Sequence, residues 1–410
     1  MGYFFIYGPD FKKILYEYTG LTGRAPVPPK WSFGLWMSRC MYRNRKEVED
    51  VARKLQRMDI PCDVLHIDPL WLKGRKNQKL DSCEFEWDKE TFPKPEEMIE
   101  KVKEKGFKIC LWENPYIYKH TATYWELAKK GYLVKDEKNK PAEVFSTHGL
   151  FKDYYAVDFT NPGAVEWYKE KHKKLLDMGV AAFKCDYGDA APEKAVYHNG
   201  KSGKEIHNLY PLLYKRTVFE AMEEYSGRGI IWARPAYAGS QCYPVLWSGD
   251  PKCSFPLMAA TLRGGLSLAL SGIEFWSHDI GGFIGEPEPE LYIRWAQWGL
   301  LCSHSRYHDT TPREPWLFGR QALEIFRFYA KLRYRLIPYL YSYAHIAHLT
   351  GLPIIRPLIL EYQDDPDFYD KDLEYLLGKE LLVAPVFNET GRRNIYLPQG
   401  NWLDFWNDKE

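Results

Sequence analysis

The sequence lacks a marked excess of charge of either sign. Its 410 residues include 56 Lys and Arg and 55 Asp and Glu, which gives a formal net charge of +1 at pH 7. Proteins that bind nucleic acid or an anionic membrane surface usually carry a basic excess. The composition therefore gives no reason to expect either partner.

Paired cysteine motifs are also missing. The 8 cysteines are scattered and none forms a C-x-x-C pair, which disfavours a zinc ribbon or a thioredoxin-like site. Cys62, Cys110 and Cys185 lie in apolar runs, a setting typical of buried free thiols. Residues 1–7 have neither a basic region nor a long apolar run, so we expect no signal peptide and no membrane span. Together these features favour a reduced, cytoplasmic location.

Aromatic residues, in contrast, are abundant. They make up 16% of the chain, with 15 Trp and 30 Tyr, and apolar residues reach 45%. A large core is the commoner reason for so many rings. Flat rings also stack on the apolar faces of sugars, so a carbohydrate ligand is a second interpretation.

Short apolar runs recur along the chain and alternate with helical patterns. The strand-like runs are 31–37, 62–68, 107–112, 180–183, 229–234, 243–247, 272–276 and 303–307. The predicted helices lie near 45–58, 95–105, 123–130, 207–225 and 320–348. This alternation predicts parallel βαβ units. Eight such units over about 320 residues fit the α/β class, as a (β/α)₈ TIM barrel, better than an open sheet.

The two ends of the chain have a different pattern. Residues 1–30 predict a short strand, a helix over 10–18 and a linker at the proline cluster 26–29. Near the C-terminus, 380–386 and 393–397 resemble antiparallel strands. We therefore predict three parts, which are an N-terminal remnant with its linker over 1–30, a catalytic barrel over 31–350 and a partial C-terminal antiparallel β-domain over 351–410.

The fourth predicted strand carries the first chemical signal. Its apolar run, 180–183, is followed by Asp186, Gly188 and Asp189. A carboxylate at the C-terminal end of a buried parallel strand occupies the position where α/β barrels place their catalytic groups. On this segment alone, a carboxylate that caps the next helix or pairs with Lys184 is an equally good interpretation.

Polar residues stand at the ends of the other predicted strands as well. The whole set is Asp68, Glu113, Asp186, Arg234, Asp250, Asp279 and His308. Aromatic residues accompany them, namely Trp36, Trp71, Trp112, Trp247, Trp276 and Phe283. In a barrel all these ends meet at one mouth. Carboxylates surrounded by rings fit glycoside chemistry, in which one carboxylic acid protonates the leaving oxygen and a second carboxylate attacks or stabilises an oxocarbenium-like centre.

Three other interpretations of these residues stay open. Paired His and Asp side chains could ligate a metal, although the first strand lacks the His-x-His pattern of amidohydrolase-like sites. Lys184 could act as a base in an enolase-like barrel, which would need Mg²⁺ ligands on successive strands, or could form a Schiff base. The barrel could also bind sugar without catalysis. Glycoside hydrolysis needs only two carboxyl groups, so we expect no metal and no other cofactor.

Six ordered motifs sharpen the prediction. They are WSFGLW at 31–36, HIDPLW at 66–71, CEFEWD at 83–88, FKCDYG at 183–188, RGGLS at 263–267 and FWSHDIGGF at 275–283. Together they resemble glycoside hydrolase family 31, and its α-xylosidase branch most closely. The resemblance extends from about residue 5 to the C-terminus. It implies a retaining α-glycosidase on a (β/α)₈ barrel.

The resemblance assigns roles to the side chains at the strand ends. Asp186 falls on the nucleophile of the family's Lys-x-Asp-Phe/Tyr-Gly string, and Asp250 falls on the acid/base of the Gly-Asp pair after the sixth strand. The sugar-binding and supporting groups that it implies are Asp68, Lys184, Arg234, Asp279 and His308. The pocket walls that it implies are Trp112, Trp276 and Phe283.

The resemblance also implies a substrate. Leu70 stands where glucosidase members tend to have a polar or acidic group for the 6-hydroxyl, which favours a pentose. We therefore predict release of terminal α-xylosyl residues from oligosaccharides, with an α-glucosidase of the same family and a catalytically inactive sugar-binding barrel as alternatives. Family members normally begin with a β-sandwich and end with further β-domains, so a fragment of a longer protein is expected. The oligomeric state is left open.

Overall fold

Strands and helices alternate along the residues that the computed structural model describes, which are 3–73, 83–145, 151–234 and 236–409. The strands are β1 (Leu35–Arg39), β2 (Val64–Ile67), β3 (Lys108–Glu113), β4 (Tyr116–Tyr118), β5 (Tyr154–Ala156), β6 (Val180–Cys185), β7 (Ile231–Ala233), β8 (Leu246–Trp247), β9 (Trp276–Ser277), β10 (Ser305–Tyr307), β11 (Ile355–Pro357), β12 (Tyr375–Leu377) and β13 (Leu381–Val383). The helices are α1 (Phe11–Thr22), α2 (Arg45–Arg57), α3 (Pro95–Glu104), α4 (Ala122–Lys130), α5 (Pro162–Asp177), α6 (Gly203–Ile206), α7 (Tyr210–Ser226), α8 (Phe255–Leu270), α9 (Pro289–Gly299), α10 (Gly319–Thr350) and α11 (Leu358–Glu361).

The central sheet closes into a barrel. Its strand order is β10-β1-β2-β3-β6-β7-β8-β9, and every neighbouring pair is parallel. The two outer strands meet at a seam, where Asp279 and Arg306 form a parallel bridge and the N–H of Ile280 donates to the carbonyl of Arg306 at 3.1 Å. Side-chain hydroxyls complete the seam, since Ser277 Oγ donates to the carbonyl of His304 at 3.0 Å. This architecture confirms the predicted (β/α)₈ barrel.

Local sequence explains why these elements form. Strand β6 is a largely apolar run that is buried on both faces, as parallel barrel strands are. Helix α2 directs Val48, Val51 and Leu55 onto the barrel at the spacing of one helix face. Asn44 caps this helix by accepting a hydrogen bond from the N–H of Glu47 at 3.0 Å.

The predicted N-terminal elements need correction. Residues 3–8 form no strand in the described chain, and Tyr3 and Phe5 are 89% and 84% exposed. A strand needs a partner for its backbone groups, and this segment has no described one. The helix expected over 10–18 is α1, which begins one residue later and continues to Thr22.

The first barrel strand also begins later than predicted. The expected strand 31–37 opens with a 3₁₀ turn at Lys30–Phe33, in which the N–H of Ser32 donates to the carbonyl of Pro29 at 2.8 Å. Strand β1 therefore starts only at Leu35.

The C-terminal part contains an antiparallel sheet of β11, β12 and β13. Strand β13 lies within the predicted run 380–386. The predicted strand 393–397 is wrong, because side chains take the place of a sheet partner there. Arg393 donates to the carbonyl of Leu373 at 2.8 Å and to the Glu374 carboxylate at 2.7 Å, and the N–H of Tyr396 donates to that same carboxylate at 3.2 Å.

Other elements were not predicted from the sequence. They include the β4–β5 hairpin and the helices α8 and α9 that pack outside β9.

No helix in the described ranges combines the length and the apolar character needed to cross a membrane.

Candidate active site at the barrel mouth

The inward-facing residues of the barrel follow a period of two. Strand register places Lys184 beside Trp112 on one side and beside Trp232 on the other. Side chains alternate between the two faces of a strand, so the residues two positions further on point to the same side. Asp186 and Arg234 are two of these, and both lie just beyond the strand ends, at the mouth.

Lys184 is the central cation of the mouth, and it is 2% exposed. Its ammonium donates to Asp68 Oδ1 at 3.2 Å and contacts His308 Nε2 at 3.0 Å. It also lies 3.8 Å from Asp186 Oδ2 and 5.0 Å from the ring centre of Trp247. Burial opposes the charged form, but the carboxylates of Asp68 and Asp186 outweigh it and raise the pKa of Lys184. The lysine is therefore an ammonium ion, unlike a Schiff-base lysine.

His308 is neutral in this arrangement. Its Nε2 accepts from the Lys184 ammonium, so the proton is assigned to Nδ1, which lies 2.8 Å from Ser38 Oγ. Burial lowers the pKa of His308 well below its ordinary value, and the nearby Lys184 charge acts in the same direction. The imidazole ring stacks on that of His66 at 5.4 Å between centres.

Asp68 is the anion of this group. Burial would raise its pKa, but the Lys184 ammonium and the hydrogen bond with His66 hold the pKa of Asp68 well below its ordinary value. His66 Nε2 lies 2.9 Å from Asp68 Oδ1. Burial itself lowers the pKa of His66 to about 4. Asp68 is thus a fixed carboxylate that can accept hydrogen bonds from a ligand.

Asp186 is held on both of its oxygens. Trp112 Nε1 donates to Oδ2 at 3.0 Å, and the N–H of Tyr187 donates to Oδ1 at 2.8 Å. Arg234 Nε lies 3.1 Å from Oδ1. The side chain of Asp186 is 14% exposed, so it still reaches the mouth. A carboxylate held in this way has a fixed orientation and negative charge stabilised by its surroundings.

The turn after Asp186 fixes its direction. Tyr187 and Gly188 both have positive φ angles, 57° and 103°. The buried hydroxyl of Tyr116 accepts hydrogen bonds from the N–H groups of Gly188 at 3.0 Å and Ala190 at 2.8 Å. These bonds stabilise a backbone conformation that is unfavourable for a non-glycine residue such as Tyr187.

Asp250 follows β8, two strands along from β6, and is exposed to solvent at the mouth. The protein that surrounds it still removes part of its hydration, which raises the pKa of Asp250, and the charge of Asp186 adds to the increase. The cations Lys184 and Arg234 oppose this increase without cancelling it. Two carboxyl groups at one mouth therefore differ in their electrostatic environment.

A second ion pair lies beneath the mouth. Asp279 and Arg306 are fully buried and bonded to each other, and the Arg306 guanidinium lies 5.0 Å from the ring centre of Trp232 and 5.1 Å from that of Trp247. Burial raises the pKa of Asp279 to about 7, with Arg306 opposing and Asp250 adding to the rise. Asp279 thus lies below the mouth, where Arg306 already holds it.

The predicted walls divide into two groups. Trp112 contacts Asp186, and the Phe283 ring lies 5.2 Å from that of His308, so both border the mouth. Leu70 is half-buried on a 3₁₀ turn directly after Asp68. The placement of Trp276 in the wall is wrong.

The Trp276 ring points out of the barrel instead. A Cβ on Gly265 of α8 would come within 1.9 Å of Trp276 Cη2, and the ring centre of Trp298 on α9 is 6.5 Å away. Ser277, its neighbour on β9, pairs with Trp247, whose ring faces Lys184 inside the barrel, so Trp276 must take the opposite face. Gly265 is needed because any side chain there would overlap this ring.

Glu113 is also separated from the mouth. It is 1% exposed and accepts hydrogen bonds from the hydroxyls of Tyr168 and Tyr214, each at 2.9 Å, while His172 Nε2 lies 3.1 Å away. These donors belong to α5 and α7, outside the barrel. Glu113 therefore stabilises the layer between sheet and helices.

Three residues at the mouth have the spacing of metal ligands, but the Lys184 ammonium already lies against them. His66, Asp68 and His308 offer ligand atoms within 4.8 Å of one another. The Lys184 ammonium bonds two of these residues. A divalent ion there would face this positive charge at close range, so the donor set fits Lys184 better than a metal.

Sequence reasoning missed three contributors, which are His66, Arg306 and Tyr116. The first two could have been found, because each lies two residues before a predicted site residue on the same strand face. Tyr116 could not, since its contact with the turn after Asp186 spans more than 70 residues of chain.

Comparison with known proteins identifies the family of the barrel. Residues 25–343 match the model of the glycosyl hydrolases family 31 TIM-barrel domain, and residues 351–410 match that of the family's C-terminal domain. The α-xylosidase XylQ of Lactiplantibacillus pentosus is 41% identical, over 99% of this chain and 54% of its own length. The α-xylosidase of Emericella nidulans is 38% identical, over 97% of this chain and 51% of its own length.

A solved structure gives the same result. A family 31 α-xylosidase from a soil metagenome, complexed with xylose, superposes with a TM-score of 0.87 at 31% identity, over 96% of this chain and 62% of that one. The chain spans about half the length of the curated relatives it matches. Because the family's barrel model matches most of the sequence and the fold is the same, the chain belongs to glycoside hydrolase family 31.

Proposed function

We propose that this chain forms the catalytic barrel of a retaining α-xylosidase that releases terminal α-xylosyl residues from oligosaccharides. One observation carries the proposal, namely the contrast between two carboxyl groups at the same mouth. Asp186 is surrounded by N–H donors and cations, whereas the pKa of Asp250 is raised. A retaining glycosidase needs one ionised carboxylate and one protonated carboxylic acid.

Asp186 acts as the nucleophile in the first step. One of its oxygens forms a bond to the anomeric carbon while the bond from that carbon to the leaving oxygen breaks. Asp250 donates its proton to the leaving oxygen, so the aglycone departs as a neutral alcohol. The hydrogen bond from Trp112 and the contact with Arg234 keep the carboxylate oriented for attack.

Water completes the reaction in the second step. Asp250, now ionised, takes a proton from a water molecule, whose oxygen attacks the anomeric carbon and displaces Asp186. The released sugar has the α configuration of the substrate because the centre has been inverted twice. Both carboxyl groups return to their initial protonation states.

The charged group around Lys184 serves as the sugar-binding floor. Asp68 accepts hydrogen bonds from sugar hydroxyls, and the ammonium of Lys184 keeps it ionised. His308, Arg234 and Phe283 border the same space, and Asp279 acts from below through Arg306. Because Lys184 already pairs with Asp68 and contacts His308, these three groups do not need to reorganise when a substrate binds.

Leu70 favours a pentose over a hexose. Its half-buried apolar side chain follows Asp68 directly and can accept no hydrogen bond. A glucoside would bring an additional hydroxymethyl group that loses water there without gaining a partner, which is unfavourable. The related curated α-xylosidases support this choice, and α-glucosidase activity is the runner-up.

A direct test compares p-nitrophenyl α-xyloside with p-nitrophenyl α-glucoside. We expect higher kcat/KM for the xyloside, and NMR of the first-formed sugar should show the α anomer. A first-formed β anomer would refute retention, and faster glucoside hydrolysis would favour the runner-up. Xylose binding in calorimetry without turnover of either glycoside would indicate an inactive sugar-binding barrel.

Azide separates the two carboxyl roles. Asp186→Ala should abolish turnover, because no covalent intermediate can form. Asp250→Ala should retain some hydrolysis of aryl glycosides, whose leaving groups need little protonation, and azide should accelerate it and give the α-azide. If azide restores turnover of Asp186→Ala, the product should be the inverted β-azide, as expected when the nucleophile is missing. Formation of the α-azide by this variant would instead mean that the two roles are reversed.

We keep a reducing, cytoplasmic compartment as a further prediction. The eight cysteines all lie in the described ranges and are free thiols, and four of them are buried. Titration with a thiol reagent after denaturation of protein isolated without reductant should find eight reactive groups. A lower count would point to an oxidising compartment.

A further inference from the structure

We propose that the groove along α2, which begins at the barrel mouth and ends at Trp316, binds the oligosaccharide chain of the leaving group. This inference rests on the proposed glycosidase function and extends it to the substrate beyond the cleaved sugar. Two adjoining cavities and one half-buried indole carry the argument.

The inner pocket lies among the loops that follow β1 and β10, at the mouth end of the barrel. It has a volume of about 190 Å³ and is lined by Met41, Arg43, Asp309 and Thr311, among others. Asp309 directly follows His308 in the chain, so the pocket lies at the same end of the barrel as the proposed sugar site. Asp309 is 1% exposed, which makes its carboxylate part of a built polar wall and not a surface charge.

The outer groove adjoins the inner pocket, because Arg39 and Glu47 line both. It has a volume of about 500 Å³, within the usual range of ligand sites. Along α2 it runs from Glu47 to Arg57, and ten residues of helix span about 15 Å. That length accommodates more than one pyranose ring.

The chemistry of the groove suits a neutral, hydroxyl-rich ligand. The carboxylates of Glu47 and Asp50 alternate with Arg39, Arg53 and other cations, and several are already paired, as Arg53 is with Asp50 at 2.7 Å. Cations outnumber carboxylates in the lining, but Arg39 is paired with Glu314 and Arg53 with Asp50, which leaves less positive charge for a polyanion such as nucleic acid. Sugar hydroxyls can donate to a carboxylate and accept from a guanidinium at the same time.

Trp316 gives the groove a flat apolar face. Its ring is half-buried, and Lys54 Nζ lies 4.5 Å from the ring centre. A pyranose that stacks on this indole would be within reach of the Lys54 ammonium, which can donate to its hydroxyls. Aromatic rings with one apolar face and polar neighbours serve this purpose at many interfaces.

The kinetic test compares substrates of different length. We expect the wild-type chain to show a lower KM for an oligosaccharide with a terminal α-xylosyl unit than for p-nitrophenyl α-xyloside. Trp316→Ala should raise the KM for the oligosaccharide roughly three- to tenfold relative to the aryl glycoside, with kcat little changed. Lys54→Ala should move the same ratio, and it guards against a folding defect of the tryptophan variant.

Trp125 provides a matched control. It is an exposed tryptophan on α4, with 63% of its surface accessible, and it does not line the groove. Trp125→Ala should leave the ratio of the two KM values unchanged. An equal loss in Trp125→Ala and Trp316→Ala, or no change in Trp316→Ala and Lys54→Ala, would overturn the groove proposal.

Calorimetry on Asp186→Ala makes the test independent of turnover. The xylosylated oligosaccharide should bind more tightly than xylose, and Trp316→Ala in this background should remove most of that difference. If the wild type hydrolyses no glycoside but this binding pattern is present, the proposed activity fails and the groove stands. If aryl xylosides are hydrolysed but the oligosaccharide binds no better than xylose, the groove proposal fails alone.

Discussion

Lys215 offers the sharpest test of the electrostatics of the fold. This residue of α7 is fully buried, and within the described residues its Nζ has no hydrogen-bond partner. Burial lowers the pKa of Lys215 from its ordinary value of 10.5 to about 7, with Cys185 opposing only slightly. A depressed lysine pKa means that the folded protein binds fewer protons than the unfolded chain between these two values.

The sign and size of the effect follow from that interval. Stability rises with pH between about 7 and 10.5, by roughly 1.36 kcal/mol per pH unit. Below about pH 7 both states carry the charge, and the unfavourable burial of Lys215 reaches its full size, on the order of 4–5 kcal/mol. Above pH 10.5 the lysine is neutral in both states and the cost is absent.

Lys215→Met should remove this cost, because methionine has a similar length and no charge. For a chain of 410 residues, a gain of 4–5 kcal/mol corresponds to a rise in Tm of about 5 °C. We expect this rise at pH 6 and less than half of it at pH 9. Differential scanning fluorimetry across a pH series measures both values.

Lys173→Met supplies the control, since Lys173 is an exposed residue of α5. Its Tm should differ little from that of the wild type at every pH. A gain for Lys215→Met that is the same at pH 6 and pH 9, or a loss at pH 6, would refute the idea that a buried charge is the cause.

Three further predictions concern the mouth. The pKa of Asp250 is raised and the group must be protonated for the first step, so the basic limb of the pH profile of kcat/KM should belong to Asp250. This limb should disappear in Asp250→Ala assayed with activated aryl substrates, and an unchanged limb would contradict the assignment. Leu70→Asp should raise the glucoside-to-xyloside ratio of kcat/KM by roughly ten- to hundredfold, since it adds an acceptor for the extra hydroxyl, whereas a constant ratio would place Leu70 away from that hydroxyl. Prolonged dialysis against EDTA should leave activity intact because Lys184 holds the position of a cation, and restoration by Mg²⁺ or Zn²⁺ after a loss would favour a metal enzyme.

Much of the barrel could be predicted because its signals are local. Apolar runs followed by polar residues mark the strand ends, and parallel strands bring those ends together regardless of the length and sequence of the loops. Asp68, Asp186, Arg234 and His308 lie together for this reason. Their hydrogen bonds to one another could not be assigned, because they cross the barrel between strands distant in sequence.

The wrong predictions at the site arose because the alternation of side chains between the two faces of a strand was not applied to the sequence. Trp276 and Asp279 are three residues apart, so they cannot both point inward on a regular strand. Trp112 and Glu113 are adjacent, and the same rule sends Glu113 to the helices once Trp112 faces the mouth. Period-two reasoning on the sequence would have excluded Trp276 and Glu113 without a structure.

Other features depend on tertiary contacts that leave no local trace. The segment 393–397 has the composition of a strand, but Arg393 and Glu374 bind it through side chains. Lys215 lies in a helix whose sequence gives no sign that this position is fully buried. Such features depend on which elements pack together, and propensity or pattern alone cannot supply that information.

The seam between β9 and β10 has a consequence for motion at the mouth. Within the described chain it relies on few backbone bonds, so its amides should exchange with solvent earlier than those of β3 and β6. Asp186 and Asp250 follow β6 and β8, which lie on the same side of this gap, whereas His308 follows β10 on the other side. Opening of the seam would therefore shift His308 relative to the proposed sugar site, whereas the distance between the carboxyl groups of Asp186 and Asp250 would change little.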